Sequence, residues 1–177
     1  MGLLAVGGIV VSLGSAPGPI GMLGGGLALI MLAIAVIDRR HFVIPNELCG
    51  AGFGLAIAHA AVREPDAMLA AIAVAAVRGA TFALVLLVIR YVYKRIRGRD
   101  GIGLGDIKLA GVTGAWLDWS IMPVAVEGAA CAALLVYLAR QYVFRRPIRA
   151  ASRVPFGLFF APTIWFCWLL ETTLLAP

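Results

Sequence analysis

Seven stretches of the chain are almost continuously apolar, and most of its charges fall between them: about residues 2–14, 20–37, 47–62, 67–89, 107–119, 122–139 and 155–175. None shows the alternation of apolar and polar positions that marks a membrane β-strand. A helix needs about 20 apolar residues to cross the roughly 30 Å hydrocarbon core, and in lipid the backbone must satisfy its own polar groups. The pattern therefore predicts an all-α fold: a polytopic helical membrane protein with six or seven transmembrane helices, organised as one domain over residues 1–177. The first and fifth runs are short, and Pro17-Gly-Pro19 interrupts the chain after the first. The six-span alternative lays that first run along the interface. Glycine is frequent in transmembrane helices, so the glycines inside the other runs do not end them.

Composition sharpens the class. Of the 177 residues, 62% are hydrophobic and 14% charged, against about 45–50% and about 25% in soluble domains. The net charge of +6 does not indicate a nucleic-acid partner, because the basic residues flank apolar runs. Arg39, Arg40, Arg90, Lys94, Arg95, Arg97, Arg99, Lys108, Arg140, Arg145, Arg146, Arg149 and Arg153 all fall on one side of an alternating topology. Arg63 lies in a short opposite loop, and Arg78 lies inside a run. The positive-inside rule makes the rich side cytoplasmic, and the lipid bilayer is the first expected partner. The N-terminal run has no Lys or Arg before it, unlike a secretory signal, so it is expected to belong to the mature protein. Cys49, Cys131 and Cys167 form no CxxC pair, which leaves a structural zinc site or a disulfide framework without support.

Ionisable groups within membrane segments are costly and point to function. Here they are Asp38, Glu47, Arg78, Asp106, Glu127 and Glu171. Asp38 ends the second run and Asp106 begins the fifth, so two helices bring a carboxylate to the same side of the membrane. Taking Trp116 and Trp119 as markers of the outer interface, the roughly 20 Å of helix from Asp106 to Trp119 leaves Asp106 below the inner surface. Glycines before it let that loop dip inward. Two carboxylates at one depth can hold a proton between them, one deprotonating water while the other protonates a carbonyl oxygen or leaving amine. The alternative is a pair of ordinary helix-end charges, which the helix dipole alone would favour at Asp106.

The neighbourhoods of these aspartates carry more. Asp38-Arg-Arg-His-Phe-Val-Ile-Pro-Asn46, Gly103-Leu-Gly-Asp-Ile-Lys-Leu109 and Val154-Pro-Phe-Gly157 occur in that order, the aspartates 68 residues apart. The set resembles the bacterial prepilin peptidases, GxGD-type intramembrane aspartic proteases, from about Ile20 onward. The resemblance implies that Asp38 and Asp106 are the catalytic pair, that Gly103 and Gly105 shape the active-site loop together with Lys108, and that Pro45, Asn46, Pro155, Phe156 and Gly157 serve substrate or structure. It also implies a multi-pass protein of the bacterial inner membrane, its site facing the cytoplasm, that removes the leader of prepilins or pseudopilins after a glycine. Neither metal nor organic cofactor is implied, and the oligomeric state is left open. The long bifunctional members add a region with two CxxC pairs and methylate the new terminus. No such pair is present here, so methyl transfer is unsupported. The short length and Ile-Pro-Asn look like the stand-alone type serving tight-adherence (Flp) pili, while Pro-Phe-Gly looks closer to the longer branch.

Other residues have simpler readings. His41 is expected to be a solvated loop histidine. His59 should find a carbonyl or another helix. Arg78 and Glu127, each mid-span, are expected to pair across the bundle. Lys108 either supports a carboxylate or snorkels to headgroups. Rival functions are a small transporter or proton relay through Asp38, Asp106 and Glu127, and a non-catalytic subunit of a pilus or secretion machine. The chain shows no internal repeat of the transporter kind. A serine peptidase lacks a base near Ser15. The discriminator is geometry: a protease needs the two aspartates to converge, whereas a relay steps them through the membrane.

Overall fold

The computed structural model describes residues 1–16, 18–142 and 155–174. Pro17, Val154 and the basic residues Arg145, Arg146, Arg149 and Arg153 lie outside the described residues. The chain is all-α: α1 (Gly2–Ser15), α2 (Pro19–His41), α3 (Asn46–Arg63), a 3₁₀ turn (Pro65–Ala67), α4 (Met68–Arg97), α5 (Leu104–Trp116), α6 (Met122–Tyr142) and α7 (Phe156–Leu174). No strand occurs among the described residues.

The helices fall where the apolar runs predict them, with ends that differ for physical reasons. α2 continues through His41, so Asp38 sits inside a helix rather than after one. α4 runs for 30 residues, about 45 Å, and its basic end projects well past a 30 Å core. α5 has 13 residues, about 20 Å, too short to span lipid alone. Four helical stretches are long and apolar enough to cross a membrane: α2, the 3₁₀ turn with α4, α6 and α7. α5 escapes the length requirement because protein, not lipid, surrounds most of it. Its residues from Val112 to Trp116 are all buried.

α5 packs most extensively on α4, and also on α3 and α7, while α2 packs on α1, α3 and α7. The shared core draws Leu27, Met31 and Ile34 from α2, Leu109, Val112 and Trp116 from α5, and Phe160, Ile164 and Trp168 from α7. Lipid tails provide no hydrophobic drive between helices, so small residues must permit close packing. A Cβ on Gly114 would lie 2.6 Å from the Arg78 carbonyl oxygen, and one on Gly79 would lie 2.7 Å from that of Gly111. That near-backbone contact binds α4 to α5. By contrast α4 and α6 present much of their length outward, with Leu84, Val88, Leu134 and Leu135 exposed.

Two expectations fail at the end of the bundle away from the aspartates. Trp116 marks no interface: it is 1% exposed, donates Nε1–H to the Gly52 carbonyl at 2.9 Å and lies against the His59 ring. Only Trp119 is exposed there. Arg78 does not pair with Glu127. Its guanidinium bonds Asp118 in the α5–α6 turn, and Glu127 occupies an exposed position on α6. Because α5 stops at Trp116, Asp118 lies deep enough to meet Arg78. His59 does find a helix partner, accepting from Trp168 Nε1–H at 3.4 Å.

Candidate active site

The site is built where three chain segments meet. α2 delivers Asp38 one turn before its end, and that residue is 5% exposed. Past His41, Phe42 takes a left-handed conformation (φ 54°) and its N–H returns to the Asp38 carbonyl. This tight reversal sends Ile44, Pro45 and Asn46 back toward the membrane, and α3 starts at Asn46 with Pro45 as its cap. Such a turn closes a helix by satisfying its last carbonyls.

α5 delivers the second carboxylate. Asp106 is the third residue of the helix, and its Oδ2 accepts the N–H of the cap residue Gly103 at 3.2 Å. That is half of a capping box, with the acid reaching back to an otherwise unpaired donor. The first turn of a helix also favours negative charge.

α7 supplies the third element. Leu158 N–H donates to Asp38 Oδ2 at 2.9 Å and is shared with the Pro155 carbonyl at 3.2 Å. Asp38 therefore lies at the N-terminus of α7, the end that attracts anions. Gly157 makes the approach sterically accessible: a Cβ there would stand 3.0 Å from Asp38 Oδ2 and 2.9 Å from Ile44 Cδ1. A Cβ on Gly105 would stand 3.0 Å from the Cβ of the same Ile44. Ile44 is thus wedged between the segment that holds Asp38 and the one that holds Asp106. Ile44 thereby links the two carboxylate-bearing segments, although α2 and α5 are not direct neighbours in the bundle.

The residues expected from sequence reach this one end of the bundle. Lys108 is exposed, and its Nζ donates to Asn46 Oδ1 at 2.5 Å, joining the first motif to the second. Phe156 packs its ring on Phe160. His41 is exposed at the end of α2. Two contributors escaped the sequence reading. One is the Leu158 amide, because a backbone donor leaves no trace in residue type. The other is the Ile44 side chain, whose only signal was its place between Asp38 and Asn46. Among the described residues, no three of His, Cys, Asp or Glu gather as metal ligands.

The arrangement can do acid–base chemistry on a carbonyl. Both carboxylates accept a backbone N–H, neither is tied to a cationic side chain among the described residues, and both lie at the same end of the bundle. Comparison with known proteins agrees in outline. Residues 26–138 match the model of the type IV leader peptidase family, a stretch that contains both aspartates. A prepilin leader peptidase/N-methyltransferase of Burkholderia pseudomallei is 35% identical over 138 residues, covering 77% of this chain and 42% of that protein. One from Pseudomonas putida is 28% identical over 140 residues, 76% of this chain and 45% of the relative. Leader peptidase HopD of Escherichia coli is 28% identical over 137 residues, 76% of this chain and 83% of that protein. The chain spans less than half the length of the two bifunctional relatives. No solved structure matches.

Proposed function

Since the chain belongs to the type IV leader peptidase family, we propose that it is an aspartic endopeptidase of the bacterial inner membrane that removes the leader from prepilins or pseudopilins, with Asp38 and Asp106 as its catalytic pair. The observation that carries this reading is the meeting of the two carboxylates at one end of the bundle, each held by a peptide N–H at a helix N-terminus.

The chemistry follows from a pair that shares one proton. The ionised carboxylate takes a proton from water as the water oxygen attacks the scissile carbonyl carbon. The protonated partner gives its proton to the carbonyl oxygen, and a tetrahedral gem-diol results. The first carboxyl then protonates the amide nitrogen, the C–N bond breaks, and a diol hydroxyl returns its proton to the second. The pair ends as it began, with one water consumed and no metal required. Gly103 and Gly105 shape the loop under Asp106. Lys108, Pro45 and Asn46 brace the first motif against it, and Pro155, Phe156 and Gly157 present the amide that orients Asp38.

Orientation follows from charge. Arg39, Arg40, Lys94, Arg95, Arg97 and Arg99 lie toward the aspartate end, which makes that end cytoplasmic. The site would then meet a leader before it crosses the membrane, and the cut would fall after a glycine, next to the hydrophobic segment that the bilayer holds. A proton relay is disfavoured because the carboxylates sit at one depth instead of in steps, and Glu127 is remote from both. The test is co-expression with a candidate prepilin, with leader removal read on a gel. Loss of cleavage in Asp38→Asn and in Asp106→Asn, with both proteins inserted, supports the reading. Retention of a near wild-type rate in either one overturns it.

A further inference from the structure

The geometry points to Arg90 as a positioning residue for Asp106, acting through the single peptide unit that joins Ile102 to Gly103. The inference rests on the peptidase reading above and adds a group on α4 that neither motif contains.

A basic residue at the end of a membrane helix ordinarily extends toward headgroups. Arg90 does not. Its side chain is 17% exposed, and it folds back over the α4–α5 loop. One guanidinium nitrogen lies 3.0 Å from Asp100 Oδ1, and another donates to the Ile102 carbonyl oxygen. Lys94, one turn further along α4, reaches the same Asp100 oxygen at 3.4 Å. Tyr93 closes the clasp: a Cβ on Gly101 would come within 2.6 Å of its ring. Gly98, at φ 67°, ends α4 and turns the chain into this loop.

The consequence lies in one peptide plane. The Ile102 carbonyl and the Gly103 N–H belong to the same planar trans amide and point in opposite directions. Arg90 holds the oxygen end. Asp106 Oδ2 accepts from the nitrogen end at 3.2 Å. Fixing the oxygen therefore fixes the direction of the donor that orients the carboxylate. A cation on the oxygen also polarises the amide and strengthens its N–H as a donor, since linked hydrogen bonds reinforce one another in a low dielectric. The guanidinium is suited to this task because its planar fork holds two acceptors at once, which an ammonium on a flexible stem does not.

The experiment compares purified Arg90→Ala, Arg90→Lys and Asp100→Asn with wild type on a matched prepilin. Arg95→Ala, at an exposed neighbouring position on α4, serves as a charge control, and Asp106→Asn as the inactive reference. Arg90→Ala should lower kcat about 100-fold, the scale of a misplaced catalytic group, with KM within about threefold. One limb of its pH–rate profile should move by about half a pH unit or more. Arg90→Lys should recover part of the rate, and Asp100→Asn should lose only a few-fold because the Ile102 contact survives. A loss in Arg90→Ala no greater than in Arg95→Ala, or a fall confined to KM, or a lowered melting temperature with an unmoved pH profile, overturns the inference. If Arg90→Ala does not insert, Arg90→Lys decides: a reduced kcat with a displaced limb supports the role, and wild-type values refute it. If wild type itself cuts no prepilin, the peptidase reading fails separately. The Arg90 role is then judged by the pH dependence of carbodiimide labelling at Asp106, read by mass spectrometry. A curve unchanged by Arg90→Lys overturns it, and a shifted curve sustains it.

Discussion

The two ends of the bundle both carry carboxylates, but set different partners beside them. At one end, Asp38 and Asp106 accept peptide N–H groups from helix N-termini. At the far end, Asp118 is bonded by Arg78, and Glu171 lies 3.5 Å from Arg63. Arg63, Arg78 and Asp118, together with His59, Glu64 and Trp116, line a cavity of about 210 Å³. A nearby guanidinium favours the ionised form of a carboxylate through its charge. A peptide N–H favours that form as well, but brings no net charge to the site. The chain thus sets arginine beside the carboxylates of one end and main-chain donors beside those of the other.

On the proposed reading, that contrast is broken most severely by removing titration at the Asp38–Asp106 end. Asp38→Asn and Asp106→Asn should each lower cleavage by at least about 1,000-fold, and the double variant should be no worse, because members of one catalytic unit are strongly non-additive. A cleavage time course on inserted protein measures this. Next in size is Gly157→Ala. Its methyl would stand 3.0 Å from Asp38 Oδ2, so Asp38 must shift, and a fall of about 100-fold is expected with thermal unfolding close to wild type.

The far end should answer in the opposite currency. Arg78→Gln leaves Asp118 without its partner, although Asp118 is 48% exposed and solvent weakens such a pair. A stability loss of about 1 kcal/mol, seen as a lower melting temperature in detergent, should accompany a kcat within about threefold of wild type. A collapse of kcat at unchanged stability would abolish the division between the two ends. Smallest of all, Glu127→Gln should leave both cleavage and melting temperature unchanged within error. The pH profile sharpens the same distinction. Wild-type activity should fall on both the acid and the alkaline side, with two apparent constants belonging to the pair. Arg78→Gln should leave that profile in place.

The apolar runs were enough to locate the helices, because lipid imposes a uniform demand on every segment facing it. They misjudged α5, whose neighbours replace lipid. The run's apparent end at Trp119 includes a turn, since Asp118 bonds Arg78 and Trp116 belongs to the core. The Arg78–Glu127 pairing failed for the same reason: the true partner sits in a turn that only a shortened helix places at that depth. Asp38 and Asp106 were legible because charge in a membrane segment is conspicuous. The Leu158 amide, the wedge of Ile44 and the clasp of Arg90 were not. Each depends on where helices cross, and a donor on the main chain has no letter of its own.

The bond from Leu158 to Asp38 also sets a schedule for biosynthesis. The two aspartates emerge early, on α2 and α5, but the amide that orients Asp38 arrives with α7. Between Asp106 and Leu158 lie 52 residue steps, roughly 3–10 s of translation at the usual pace. During that interval the nascent chain carries both acids and lacks the donor that orders one of them. On the proposed reading, a chain that stops short of α7 lacks the donor for Asp38, and cleavage awaits the docking of that helix.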